Sequence, residues 1–128
     1  MKFSIKKAPI SEEEKRDRAE FFAEDTRQYV DVEAFVKQDI YDVLVNEVPI
    51  KETIIKTSRE NLSIVPATLQ LAGAEIELTS MMARESRLKS ALAEVSDEYD
   101  FILVDCPPSL GHLTINAFTA SDAILIPV

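Results

Sequence analysis

One carboxylate in this sequence stands where a protein could hold a magnesium ion. Asp105 follows the apolar run Phe101–Val104 and precedes a loop that contains two prolines and ends at Gly111. In open parallel sheets, ligands bind beyond the carboxyl ends of the strands, so a carboxylate there faces the natural site. It can hold Mg²⁺ through a water molecule, because Mg²⁺ keeps most of its hydration shell. The alternative is structural, since many strands end in an aspartate that only caps the next turn.

The other reactive groups are His112 and Cys106, the one histidine and the one cysteine of the chain. A histidine acting as general base needs a positioned partner, which the sequence does not show, so we interpret His112 as a loop residue without a catalytic role. The charge of Asp105 disfavours the thiolate of Cys106, which we interpret as a packing residue. One thiol and one histidine are too few for a structural zinc site. We assign no catalytic side chain.

Phosphate binding is the chemistry for which the usual residues are missing. The two glycines, Gly73 and Gly111, are followed by Ala74 and His112, so the pattern G-x-x-x-x-G-K-[ST] does not occur in these 128 residues. A phosphate-binding loop presents several backbone N–H groups and a lysine, which supply most of the affinity and of the transition-state stabilisation. Asp105 brings no positive charge to a triphosphate, so we predict that the chain does not hydrolyse ATP by itself.

The composition fits one ordinary globular domain. The chain has 128 residues, of which 46% are hydrophobic and 29% charged, which argues against disorder. Its formal net charge is −9 and its basic residues form no stripe, so we expect no autonomous DNA binding. No apolar run approaches the ~18 residues that span a bilayer, and the N-terminus lacks a secretory signal, so we expect a cytoplasmic protein without membrane contact.

The elements around Asp105 read as an α/β fold. Phe101–Val104 and Ala123–Val128 are unalternating apolar runs, which are typical of strands buried on both faces of a parallel sheet. The residues between them provide a loop and a helix, so the segment predicts a βαβ unit. Leu62–Val65 is a short β-branched run that predicts another strand.

Helical patterns occupy most of the remaining sequence. Ser11 and Glu14 form a capping box at the start of the first one. The predicted helices are one from about residue 12, two short ones in Asp39–Val45 and Ile50–Lys56, and a long pattern over Leu69–Val95. The polar stretch Arg84–Arg87 leaves two alternatives for the last pattern, a continuous rod or two helices separated by a bend.

Taken together, several segments closely resemble the ParA (Soj-type) DNA-partitioning ATPases, a MinD-like group of P-loop NTPases. These segments are Ile40–Leu44, Leu62–Thr68, Gly73–Leu78, Arg84–Leu88, Tyr99–Gly111, Leu113–Ala117 and Ala120–Val128. In that family the aspartate that matches Asp105 is the Walker B residue, and the segment through Gly111 is the switch that senses the γ-phosphate. The resemblance therefore implies Asp105 as a magnesium contact and Gly111 as a cofactor-binding switch position.

The resemblance also implies a domain organisation. We expect 38–128 to be a truncated ParA-like ATPase domain with the Walker B and switch II segment, and 1–37 to be a charged, helical N-terminal extension. The fold would be a partial three-layer αβα parallel sheet of the P-loop NTPase type that lacks the P-loop strand. The family places that strand beside the Walker B strand, so Phe101–Val104 should keep an unpaired edge or pair with Ala123–Val128. An open apolar edge invites association.

Three functional hypotheses stay open at this point. The resemblance implies an incomplete ParA-family partitioning ATPase, whose complete relatives use ATP and Mg²⁺, bind DNA non-specifically and respond to a ParB-type partner. A second hypothesis is a non-catalytic interaction module that pairs with a full-length ParA homologue or partner through sheet edges or the N-terminal helix. A third is a gene remnant without a selected function, which the DNA flanking the reading frame would reveal.

Overall fold

Four short strands form one sheet in the structure, a computed structural model that describes residues 3–6 and 36–127. In chain order they are β1 (Phe3–Lys6), β2 (Ile55–Lys56), β3 (Leu62–Val65) and β4 (Phe101–Val104). Their spatial order is β2-β3-β1-β4. The predicted strands at Leu62–Val65 and Phe101–Val104 are therefore confirmed, but the expected burial of β4 on both faces is wrong, because Phe101 is exposed and the other three residues are only partly buried.

The direction of the strands corrects the predicted parallel sheet. β1 lies between β3 and β4 and is antiparallel to both, with Phe3 opposite Val65 on one side and Val104 on the other. β2 is antiparallel to β3. β3 and β4 thus run in the same direction, as a parallel fold requires, but each hydrogen-bonded neighbour in the described sheet is antiparallel. The reason is that β1 completes the backbone hydrogen bonds of both strands from the opposite direction.

In the described sheet, β4 keeps one unpaired edge, which is the first of the two expected arrangements. One edge pairs with β1, while the other has no strand partner among residues 3–6 and 36–127. The predicted strand at Ala123–Val128 is wrong for its described part, because 121–127 contain no regular structure and the side chain of Leu125 is 87% exposed. An apolar run becomes a buried strand only where a neighbouring strand satisfies its backbone groups and other elements cover its faces.

Helices cover the sheet and carry most of the core. They are α1 (Ile40–Val45), α2 (Leu71–Glu77), α3 (Arg87–Ala93) and α4 (His112–Ala120), with 3₁₀ turns at Ile50–Glu52, Leu78–Ser80 and Ser96–Glu98. Of the two alternatives left open for Leu69–Val95, the structure has two helices separated by a break, since no helix covers 81–86 and Ala83 has a φ of 51°. The helix predicted from about residue 12 lies outside the described residues.

The second short helix, predicted over Ile50–Lys56, is wrong beyond its first turn. The 3₁₀ turn ends at Glu52, and the hydroxyl of its C-cap residue, Thr53, donates a hydrogen bond to the carbonyl oxygen of Ile50 at 2.8 Å. The next residues are Ile54 and Ile55, and β2 begins at the second of them. Their β-branched side chains favour extended backbone over helix.

Buried side chains from all four helices form one core against the sheet. Its fully or nearly fully buried members include Ile40, Leu44, Ile50, Val65, Leu78, Leu88, Val95 and Ala117. Arg87 joins α3 to the end of α1, because its guanidinium donates to the carbonyl oxygen of Leu44 and contacts the Glu47 carboxylate at 2.9 Å. It satisfies one of the last carbonyl groups of α1, which lack an intrahelical partner. Over the described ranges, the helices are too short or too polar to traverse a bilayer.

Candidate magnesium and switch site

Asp105 lies directly after β4, at the carboxyl end of the strand, and its side chain is exposed. Since β3 and β4 run in the same direction, the loop that follows Val65 leaves the sheet at the same end. No hydrogen bond or ion pair joins the Asp105 carboxylate to another residue in the part of the chain that the structure describes. The carboxylate is therefore not used as a turn cap there, and it is accessible to a ligand.

The surroundings of Asp105 suit a magnesium ion that arrives with its own ligands. Within 3–6 and 36–127, no group of three or more His, Cys, Asp or Glu side chains is arranged to hold a metal. A single carboxylate is what protein sites commonly offer to Mg²⁺ bound to nucleotide phosphates, with water completing the shell. Asp105 as a contact of a nucleotide-bound magnesium ion is compatible with this donor set and stays a prediction.

Cys106 has the properties of a packing residue. Burial, and secondarily the negative charge of Asp105, raise the pKa of the Cys106 thiol. The Sγ atom lies 3.8 Å from the carbonyl oxygen of Val104. Because the reactive species is the thiolate, a raised pKa makes this side chain a poor nucleophile at neutral pH. The direction agrees with the prediction from its position beside Asp105.

Gly111 ends the loop that begins at Asp105 and is the N-cap residue of α4. Its φ of −77° is accessible to any residue, so backbone freedom does not explain the glycine. Space does explain it, because a Cβ atom there would lie 2.6 Å from Cδ and from Oε2 of Glu75. A side chain at this position would therefore displace the Glu75 carboxylate from its present place. The role of Gly111 as a cofactor contact stays a prediction.

Glu75, on α2, is a site residue that the sequence did not reveal. Its Oε2 atom accepts a hydrogen bond from the backbone N–H of His112 at 2.7 Å, and its Oε1 atom accepts one from that of Leu113 at 3.1 Å. The first N–H groups of a helix have no intrahelical acceptor, and a carboxylate is favourable at this positive end of the helix dipole. One signal was present: no Ser, Thr, Asp or Asn occupies the N-cap of α4, so its cap has to come from elsewhere.

His112, which we interpreted as a loop residue, is instead the first residue of α4, and it has no acid–base partner in the described structure. Its Nε2 atom lies 3.4 Å from the hydroxyl of Thr79, and its Nδ1 atom is buried without a hydrogen-bond partner. A general base needs a second group that holds the ring in a defined orientation and tautomer. The geometry therefore assigns no catalytic function to this ring.

Asn116 connects α4 to α3 through a fully buried amide. Its Oδ1 atom accepts from the backbone N–H of Leu88 at 3.1 Å, and its Nδ2 atom donates to the carbonyl oxygens of Arg84 at 2.5 Å and His112 at 2.9 Å. The N-cap of α3, Ser86, makes no side-chain cap hydrogen bond, so Asn116 supplies the cap instead. The helix that follows the site is thus fixed to the core by one polar side chain.

Comparison with known families and proteins gives consistent matches. Residues 21–128 match the family model AAA_31, described as an AAA domain. The chain is 57% identical over 95 residues to the sporulation initiation inhibitor protein Soj of Bacillus subtilis, a match that covers 74% of this chain and 38% of Soj. It is 49% identical over 98 residues to the chromosome partitioning protein ParA of Myxococcus xanthus, which covers 73% and 35% of the two chains. The chain spans a little over a third of the length of these curated relatives.

Solved structures with a similar fold are consistent with these matches. The cobyrinic acid a,c-diamide synthase of Mycobacterium smegmatis is similar with a TM-score of 0.67 and 35% identity, over 75% of this chain and 39% of that one. The same enzyme with a bound ATP analogue and magnesium is similar with a TM-score of 0.63 and 38% identity, over 67% and 35% of the two chains.

Proposed function

From the premise that the chain belongs to the ParA/Soj family of partitioning ATPases, we propose that residues 38–128 supply the magnesium contact and the switch segment of such an ATPase. The observation that carries the proposal is the position of Asp105, exposed and without a partner in the described structure, at the carboxyl end of β4. A bound Mg²⁺ neutralises charge on the nucleotide phosphates. Asp105 would hold a water of that ion, and the loop through Gly111 would follow its position.

The proposed ligand is ATP with magnesium. The similar synthase structures carry an ATP analogue with magnesium and ADP with magnesium, which supports a nucleotide site in this fold. The relatives that are named for chromosome partitioning support DNA segregation as the process. A sequence of net charge −9 gives no reason to assign DNA contacts to this part of the family's domain.

We propose further that these 128 residues do not turn over ATP on their own. The sequence contains no glycine-rich loop with its lysine, so the backbone N–H groups and the cation that hold a triphosphate are missing from it. The expected result is that the purified chain shows no ATPase activity above buffer. Turnover by the purified chain at a rate comparable to intact relatives would contradict the proposal.

Weak binding at Asp105 is tested by paramagnetic broadening. Mn²⁺ replaces Mg²⁺ with ATP, and the backbone NMR signals of the 128-residue chain are recorded. The signals of 104–111 are expected to broaden first, and Asp105→Asn should remove the effect. Asp97→Asn is the control, because it makes the same charge change on an exposed side chain. Asp97 precedes the N-terminal end of β4, whereas Asp105 follows the C-terminal end. Broadening that centres elsewhere, or that survives Asp105→Asn, would refute the assignment.

A second candidate function is strand pairing with a complete ParA/Soj homologue. The observation in its favour is the outer edge of β4, which has no strand partner in the described sheet and carries Phe101 with 45% of its surface exposed. A free edge offers unpaired N–H and C=O groups to another strand.

Co-purification with a tagged complete homologue tests this candidate. The chain should be retained, and Phe101→Lys should reduce retention, because a charged side chain on an edge strand disfavours pairing. The thermal midpoint of the variant should stay close to that of the parent chain, since Phe101 is only partly buried. A chain that runs as a monomer and is not retained would refute the candidate.

A further inference from the structure

We infer that Glu75 is a positioning residue that holds the start of α4 and thereby fixes the loop between Asp105 and Gly111. The inference rests on the proposed function in one respect, which is that this loop carries the magnesium contact. Its structural basis is the pair of hydrogen bonds from the N–H groups of His112 and Leu113 to the two oxygens of one carboxylate, at 2.7 and 3.1 Å. Charge-assisted bonds of this kind are about twice as strong as neutral ones.

The contact is specific to this glutamate and this glycine. A Cβ atom at Gly111 would overlap the Glu75 carboxylate, whereas the nearest atom to a Cβ at Gly73 would be 3.7 Å away. A glutamate that merely faced solvent would need no such space. The Glu75 carboxylate therefore occupies the space that a side chain at Gly111 would take.

Local capping does not replace this contact. Gly111 offers no side chain to the first turn of α4, and the hydroxyl of Ser109 lies 3.5 Å from the hydroxyl of Thr114. Two of the first N–H groups of α4 thus depend on Glu75, which comes from a different helix.

Glu75 is itself held firmly enough to act as an anchor. Glu75 follows Ala74, which is fully buried, and α2 packs into the core through Ala74 and Leu71. Further along α2, Glu77 accepts a hydrogen bond from the Tyr41 hydroxyl at 2.8 Å. The Asp105–Gly111 loop is therefore fixed at one end by β4 and at the other by a side chain from a packed helix. Without the carboxylate, the N–H groups of His112 and Leu113 would lose this acceptor, although Leu113 and Asn116 would still hold α4 in the core.

Hydrogen exchange of the folded chain tests the contact directly. In Glu75→Ala, the amides of His112 and Leu113 should exchange about tenfold faster, which is the size expected for loss of a helix cap. Glu75→Gln keeps one acceptor oxygen and should show a smaller increase. Glu77→Ala is the matched control, since it also removes an acidic side chain from α2 but contacts Tyr41, and it should leave both amides unchanged. Gly111→Ala should resemble Glu75→Ala, because the new Cβ displaces the carboxylate.

A second measurement separates positioning from stability. Broadening by Mn²⁺ and ATP at the signals of 104–111 should weaken in Glu75→Ala and persist in Glu77→Ala, at matched thermal midpoints. Unchanged exchange at His112 and Leu113 in Glu75→Ala, or equal changes in Glu77→Ala, would overturn the inference. If Glu75→Ala fails to fold, Glu75→Gln decides by the same criteria. The exchange experiment contains no nucleotide, so its failure is distinct from failure of the proposed magnesium contact.

Discussion

Truncation of Asn116 to alanine should destabilise the chain more than its small size suggests. The side chain is fully buried and makes three hydrogen bonds, to Leu88, Arg84 and His112. After truncation, the His112 carbonyl keeps its intrahelical partner, but the Leu88 N–H and the Arg84 carbonyl lose theirs. A lost hydrogen bond costs about 1 kcal/mol by itself. Where it leaves a buried group unpaired, the total cost for that group is about 1–3 kcal/mol.

The expected loss is therefore about 3 kcal/mol in the free energy of unfolding. Urea unfolding followed by circular dichroism measures it, and the thermal midpoint should fall by roughly 15 °C for a domain of this size. Asn116→Asp should also be destabilising, because it replaces the donor that faces the Arg84 carbonyl with a second acceptor. Destabilisation of this size would identify the amide as the link between α3 and α4.

Asn46 provides the matched control. Its amide donates to the Asp42 carboxylate at 2.9 Å, but the bond is exposed. Asn46→Ala should change the free energy of unfolding by no more than about 0.5 kcal/mol. The reasoning is refuted if Asn116→Ala costs less than about 1 kcal/mol, or no more than Asn46→Ala.

Three further predictions follow from the same region. Gly73→Ala should stabilise the chain by about 0.5–1 kcal/mol in urea unfolding, because Gly73 lies inside α2 and a Cβ meets no atom closer than 3.7 Å; a loss would contradict this. His112→Leu should raise stability by about 1 kcal/mol, since it removes the buried, unpaired Nδ1 atom; a lower thermal midpoint would argue against it. Burial and Asp105 raise the pKa of Cys106, so its alkylation by iodoacetamide should begin at higher pH than that of free cysteine. By linkage, the stability from this shift is present below the unfolded-state pKa and is lost as the pH rises through the folded-state pKa; alkylation as fast as that of free cysteine would refute the shift.

The sequence was sufficient for the elements whose signals are local. The strands at Leu62–Val65 and Phe101–Val104 follow from short apolar runs, whereas the polar stretch at Arg84–Arg87 allowed a break before α3 without deciding it. The position of Asp105 at a strand end follows from the same apolar run, while its role as a magnesium contact stays a prediction.

The features that were missed depend on residues distant in sequence. Glu75 and Asn116 act on backbone groups of other helices, and no local pattern marks such partners. Ala123–Ile126 has the same apolar character as β4 but forms no strand, because pairing depends on a neighbour and not on the run alone. β1 was likewise invisible, since four residues carry too little periodicity to identify a strand and none to set its direction.

The central position of β1 has a consequence for the order of folding. Its two neighbours in the sheet come from the middle and the later part of the chain, so the contacts that close the sheet have high contact order. Such contacts form slowly, because the chain loses the entropy of loop closure before the contacts stabilise it. β1 can pair with β3 once residue 65 has been synthesised, but its pairing on the other side has to wait for β4. The helices can assemble earlier from short-range contacts, and the sheet is the last part of the molecule to become complete.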